Sequence, residues 1–298
     1  MLLLFGYLLR AWRRWRGPAA GAGPAAVPDD ESATAPAAAA AGAPAASASA
    51  RSRPRARSAA SRGWIALLAH QTRYELLSGL RNPRARFLTF FFPVAMLVIF
   101  AGVFHGTTTV AGARVSLSRY FVFGILAMSI VLSSYASLLT AIATLRETGV
   151  LKRRRATPVP PTVLIGAQAL AAVATVAITG TILLALAKLL YGIGLSPGAI
   201  AATACTAVLG ALAFACIGYA VSGLIGSPES AQPLVQATTM PLWFLSGVLI
   251  PTQNLSGALR AIGSVFPVEH LAAALHLASV HASFASCFSA ENLLVLLL

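Results

Sequence analysis

Acidic residues are nearly missing from this 298-residue chain: eight Asp and Glu stand against 22 Lys and Arg, and charged residues of both signs make up only 10%. An ordinary soluble domain is about a quarter charged, so a chain that is 57% hydrophobic and this poor in charge lacks the surface of one. Cysteine is scarce too. Three occur, which excludes a disulfide scaffold and a repeated thiolate metal site. Cys205 and Cys216 fall on one predicted helix roughly 16 Å apart, too far to bridge. Cys287 falls in a predicted outer loop, where it pairs between chains or stays free. Lysine occurs twice, as Lys152 and Lys188, and neither belongs to a G-x-x-x-x-G-K-[ST] phosphate loop. His270, His276 and His281 lack the i,i+4 spacing of a zinc-binding helix and have only Glu269 as an acidic neighbour, so they read as loop or interfacial residues; His70 and His105 stand alone. These absences leave no catalytic constellation and no metal site. The net charge of +14 would indicate nucleic acid in a polar sequence, but here it flanks apolar runs and marks topology, and no nucleic-acid partner is expected.

What is present divides into three parts. Residues 1–16 combine nine apolar residues, too few to span, with Arg10, Trp12, Arg13, Arg14, Trp15 and Arg16. A secretory signal has its charge before the apolar core, the reverse of this order. An interfacial anchor and an upstream extension without function both fit. Residues 17–63 are almost all Ala, Pro, Gly, Ser and Arg, with Val27 the only large aliphatic residue, and read as a disordered linker. Residues 64–298 read as one membrane domain.

Within it, Trp64–Leu80 suits an interfacial helix, although Gln71 and Glu75 interrupt the face carrying Leu68. Spans are predicted over Phe87–Phe104, Tyr120–Leu145, Val163–Leu186, Ala199–Ile225 and Leu234–Ile250, the last short and containing Pro241. Asn292–Leu298 begins a sixth apolar segment of seven residues, which cannot cross. The expected fold is therefore an all-α polytopic membrane protein of six transmembrane helices, the sixth incomplete in this sequence. Nine basic residues flank one side: Arg73, Arg81, Arg84, Arg86, Arg146, Lys152, Arg153, Arg154 and Arg155. Four, Arg114, Arg119, Lys188 and Arg260, flank the other, which predicts a cytoplasmic amino terminus and places residues 251–291 outside.

Two stretches stand out. RETGVLKRRRATPVPP, Arg146–Pro161, permits a break at Gly149, then a short basic helix that Pro158, Pro160 and Pro161 forbid from continuing. Such a helix either rests on anionic lipid or docks a cytoplasmic protein. In LWFLSGVLIPTQNLSGALRAIGSVFPVEHL, Leu242–Leu271, residues Leu255, Leu259, Ile262 and Phe266 share one helical face between Gly247, Pro251 and Pro267. That pattern fits a segment dipping back into the outer leaflet or a plain outer loop.

These stretches, with the entry to the first span, resemble the permease subunits of type 2 ATP-binding-cassette (ABC) exporters of the drug-efflux kind, over roughly Trp64–Leu298. The family's RE-x-G-x-L-K motif and following T-P pair are matched by Arg146, Glu147, Gly149, Leu151, Lys152, Thr157 and Pro158. The resemblance implies that this segment, with Arg153, Arg154 and Arg155, is the coupling helix that meets the ATPase. The F-x-SG-x-x-x-P pattern is matched by Phe244, Ser246, Gly247 and Pro251, which implies outer re-entrant helices carrying Leu255, Leu259 and Pro267. Ser256 and Ala258 replace the proline and tryptophan of many relatives, and Phe266-Pro267 replaces an Asn-Pro.

The resemblance further implies a homodimer in the inner (plasma) membrane, a separate ABC ATPase that binds ATP and magnesium, no cofactor in this chain, and export of an amphiphile such as a drug, a lipid or a lipid-linked product. The rival is an ion-coupled secondary transporter, which would be expected to hold an ionisable group deep in a span. Glu147 at a span end, Glu229 in a loop and Lys188 near an interface do not meet that requirement.

Overall fold

The computed structural model describes residues 56–110, 112–147, 161–225, 227–251, 253 and 255–280. The expectations for residues 1–55, for the coupling loop at 148–160 and for the last apolar segment lie outside the described residues. The first described helix, α1 (Ala56–Arg81), starts eight residues before Trp64, so the alanine-rich end of the predicted linker is helical. From Gly63 onward α1 is part of the compact unit Gly63–Leu298. Gln71 and Glu75, which break the apolar pattern, are half-buried and hydrogen-bond to each other at 3.2 Å. Trp64, Ile65, Tyr74 and Leu77 stay exposed.

α2 (Pro83–Arg86) precedes the first predicted span, which is a π turn (Phe87–Phe91) and α3 (Phe92–Val103). A hairpin of β1 (Thr107–Val110) and β2 (Ala113–Ser116) follows, with Thr107 opposite Ser116. Ser116 caps α4 (Leu117–Val131), accepting from the Arg119 amide. A second π turn (Leu132–Ala136) leads into α5 (Ser137–Glu147). Pro161 opens α6 (Pro161–Tyr191). Ser196 and Pro197 open α7 (Pro197–Ser222), and Ser227 with Pro228 opens α8 (Pro228–Leu245). Each start pairs a proline with the position where its missing N–H costs nothing. The boundaries thus follow local signals that bracket the apolar runs.

Among the described residues, three helical stretches are long and apolar enough to cross a membrane: Leu117–Glu147, Val163–Tyr191 and Pro197–Ser222. Of the first predicted span, Thr89–Val103 is a shorter apolar helix. The fifth, α8, carries Glu229, Gln232, Pro233, Gln236 and Pro241 within its 18 residues, so it is less apolar than its neighbours. It buries a stripe of Ala231, Val235, Thr239 and Trp243, one residue per helical turn.

α4 is the central post. Every residue from Tyr120 to Val131 is buried, and the helix packs against α3, α6, α7 and α10 (Pro267–Val280). At the second π turn a Cβ on Gly218 would meet the Tyr135 carbonyl at 2.7 Å, so α7 approaches the backbone directly there. The Tyr135 hydroxyl lies 3.1 Å from Thr238 Oγ1 on α8, tying the turn to a third helix.

The predicted dipping segment is α9 (Gly257–Gly263), followed by a 96° bend into α10. Leu271 packs at Gly210 and Ala278 at Ala202, so α10 runs antiparallel to α7, climbing back to the end of the bundle that carries the hairpin. This geometry is re-entrant. Two details correct the sequence expectation. The helix covers only Gly257–Gly263, leaving Leu255 and Phe266 outside it, and Leu259, Ile262 and Phe266 are exposed rather than packed on the bundle. Pro267, as the first residue of α10, starts a new helix and sets the corner between the two.

Candidate functional site

Functional residues gather at the two ends of the bundle. At one end, the apolar run of α5 stops at Arg146 and Glu147, both exposed. The guanidinium of Arg146 turns back and donates to the Ser222 carbonyl at 2.6 Å. Ser222 is the last residue of α7, so this bond gives its carbonyl, which also accepts from the Ile225 amide at 3.4 Å, a second donor and places a cation at the negative end of the helix. Ser222 is itself fully buried and donates to the Tyr219 carbonyl at 2.6 Å. Below them Leu138 and Ile142 pack on Ala215. The second and fourth predicted spans therefore end as one clamped pair. Gly149, Lys152, Arg153, Arg154, Arg155, Thr157 and Pro158, the remaining residues of the motif, lie outside the described residues.

At the other end stand Arg114, Arg119 and Lys188, three of the four basic residues assigned to the less basic side. Arg119 Nη2 donates to the Gly194 carbonyl at 2.8 Å, fastening the start of α4 to the loop before α7. The hairpin is bound to the segment after α8 through Gln253. Its Nε2 donates to Thr108 Oγ1 and, at 3.4 Å, to the Thr109 carbonyl, while Thr109 Oγ1 donates to Gln253 Oε1 at 2.5 Å.

The F-x-SG-x-x-x-P residues sit at this same end, and they separate in role. Phe244 is exposed on the last turn of α8. Ser246 is buried and donates to the Leu242 carbonyl at 2.5 Å, closing the helix. Gly247 has φ 71°, a left-handed conformation that side chains disfavour, and it turns the chain. Pro251 is buried just beyond. The turn presses against α4, where a Cβ on Gly124 would stand 2.1 Å from the Val248 carbonyl. Tyr120, one turn earlier on α4, donates its hydroxyl to the Gly247 carbonyl, with the Ile250 carbonyl at 3.5 Å.

His276 was expected to be a loop or interfacial residue and is instead buried on α10, its ring stacked on Tyr120 at 4.2 Å and 14°. Burial follows from periodicity: Val268, Ala272 and His276 are spaced by four and share the face that packs on the bundle. That spacing was available in the sequence. The pairing with Tyr120 was not, because 156 positions separate the two residues. Neither imidazole nitrogen has a hydrogen bond of good geometry, and the Gly247 backbone is the polar group near enough to influence the ring.

Between the ends, an open groove of about 520 Å³ runs along the first helical stretch, lined by Arg86, Phe87, Phe90, Phe91, Val94 and Ile182 among others. Arg86 is the one charged residue in an otherwise apolar lining.

Comparison with known proteins agrees with this architecture. The model of the ABC-2 type transporter family matches residues 67–278, from the middle of α1 to the last turn of α10. No curated protein matches the chain.

Proposed function

The chain belongs to the ABC-2 type transporter family, and from that premise we propose that it is the membrane half of an ATP-driven exporter, acting as a homodimer with a separate ATPase. As a member of that family it is a multi-pass membrane permease and a transport subunit rather than a catalyst. The Arg146 end faces the cytoplasm and the hairpin end faces outward, the orientation that the excess of basic residues beside Arg146 favours. The membrane is the inner, or plasma, membrane.

The observation that carries the coupling role is the bond from Arg146 to the end of α7. The ATPase receives the segment from Glu147 through Gly149, Lys152, Arg153, Arg154, Arg155, Thr157 and Pro158. A displacement there pulls on α5 and α7 together, because Arg146 joins their ends and Gly218 lets α7 meet the backbone of the π turn that leads into α5. ATP and magnesium belong to the ATPase, and this chain supplies the mechanical path. The cargo is amphiphilic. The apolar, charge-poor spans suit such a molecule.

In vesicles that carry the permease with its ATPase, transport of a fluorescent amphiphile requires ATP on the ATPase side and persists after a proton uncoupler is added. Transport that proceeds without ATP and stops with the uncoupler overturns this assignment. It would favour an ion-coupled carrier, for which His276 supplies the buried ionisable group that the sequence did not reveal.

A further inference from the structure

The polar groups at the hairpin end are unequally satisfied. Among the described residues, five buried side-chain polar atoms have no hydrogen-bond partner, and four of them belong to Trp243, Glu269 and His276. All three residues lie on the helices flanking the 246–266 segment, α8 and α10. A buried polar atom without a partner carries its full desolvation cost, which is removed when water reaches it. These atoms gain hydrogen-bond partners if the segment moves away from the bundle.

We propose that Tyr120 is the positioning residue of the outer gate: its hydroxyl holds the Gly247 turn against α4, and its ring is held by the stack on His276. The proposal rests on the exporter assignment and its orientation, since only then is this end the exit. Three features make the contact a latch. Tyr120 is 5% exposed, so its hydroxyl has lost water and depends on the turn's carbonyls. Gly124 removes the side chain that would keep the turn at a distance, so the Val248 carbonyl sits directly on the α4 backbone. Gly247 supplies the left-handed bend that aims its own carbonyl at Tyr120. His276 contributes through the face of its ring, stacked on Tyr120, with the Gly247 backbone the polar group nearest its nitrogens. Opening breaks one buried hydroxyl bond and one ring stack and lets water reach the Trp243 indole nitrogen, a two-sided exchange of the kind a two-state element needs.

The test uses the full chain in lipid nanodiscs and follows hydrogen exchange at the Ser246 and Leu249 amides, which bond to the Leu242 and Trp243 carbonyls in the shut turn. Tyr120→Phe keeps the ring and the stack and removes only the hydroxyl. Exchange at 246–249 rises about three- to tenfold, the worth of one net hydrogen bond, while exchange across α7 stays at the wild-type rate. His276→Phe keeps the stack and exchanges as wild type, whereas His276→Ala exchanges faster at 246–249. Unchanged exchange in Tyr120→Phe overturns the latch, and so does His276→Phe behaving like His276→Ala. Because exchange is read without ATPase or cargo, a failed latch with ATP-driven transport intact is distinguishable from a failed exporter assignment with the latch intact.

Discussion

Substituting alanine at Gly124 tests the packing on which the hairpin end depends. The added Cβ would stand 2.1 Å from the Val248 carbonyl oxygen and 3.1 Å from its carbon, and both are backbone atoms that no side-chain rotation can withdraw. A carbon and an oxygen do not approach to that distance, so α4 or the turn must move by about 1 Å. Overpacking of this kind costs about 1–3 kcal/mol, and displacing the turn also lengthens the Tyr120 bond to Gly247. For a unit of this size each kcal/mol shifts the midpoint by about 2–4 °C, so Gly124→Ala lowers the melting temperature by roughly 2–12 °C. Gly218→Ala, which meets the Tyr135 carbonyl at 2.7 Å, falls in the same range at its lower end. Gly79→Ala on α1 meets nothing within 4 Å and raises stability by about 0.5–1 kcal/mol, as an unhindered helical Gly→Ala change does. Thermal unfolding of the three purified variants in one detergent, read by tryptophan fluorescence, gives the order. Gly124→Ala melting at or above Gly79→Ala would refute the close approach.

Two further outcomes concern the opposite end. Arg146→Ala strips the cation from the α7 C-terminus and costs about 1 kcal/mol in stability, the discounted value for a partly exposed charged bond; it lowers transport more than ATPase binding, measured by efflux and co-purification side by side. Reversing Arg153, Arg154 and Arg155 to Glu together abolishes co-purification with the ATPase, and unchanged association would remove that segment from the docking surface.

Charge scarcity and the apolar runs carried the architecture, because a bilayer demands long uncharged helices whatever they pack against. The helices themselves begin earlier than the spans predicted from Tyr120, Ala199 and Leu234, at local caps that the apolar runs do not include: Ser116, Ser196 with Pro197, and Ser227 with Pro228. Less was legible in the site. Gly247 and Pro251 marked a turn correctly, yet nothing near them in the chain indicated that Tyr120 and Gly124 receive it. The apolar face of Leu255, Leu259, Ile262 and Phe266 has helical spacing, but spacing reports a periodicity and not a neighbour, and Leu259, Ile262 and Phe266 are exposed.

By itself, then, the sequence determined which segments are long and apolar and which loop carries the dense positive charge, because each depends on residues close together in the chain. Only the tertiary structure decided which backbones touch and which polar groups are met. Arg146 belongs to a motif read as facing a partner, yet it caps α7 of its own chain, 76 residues away. His276 was read as a loop or interfacial residue and is instead buried on α10, stacked on Tyr120. Both outcomes depend on how α5, α7 and α10 are brought side by side, and glycine-sized approaches and unpaired carbonyls exist only after that packing is made.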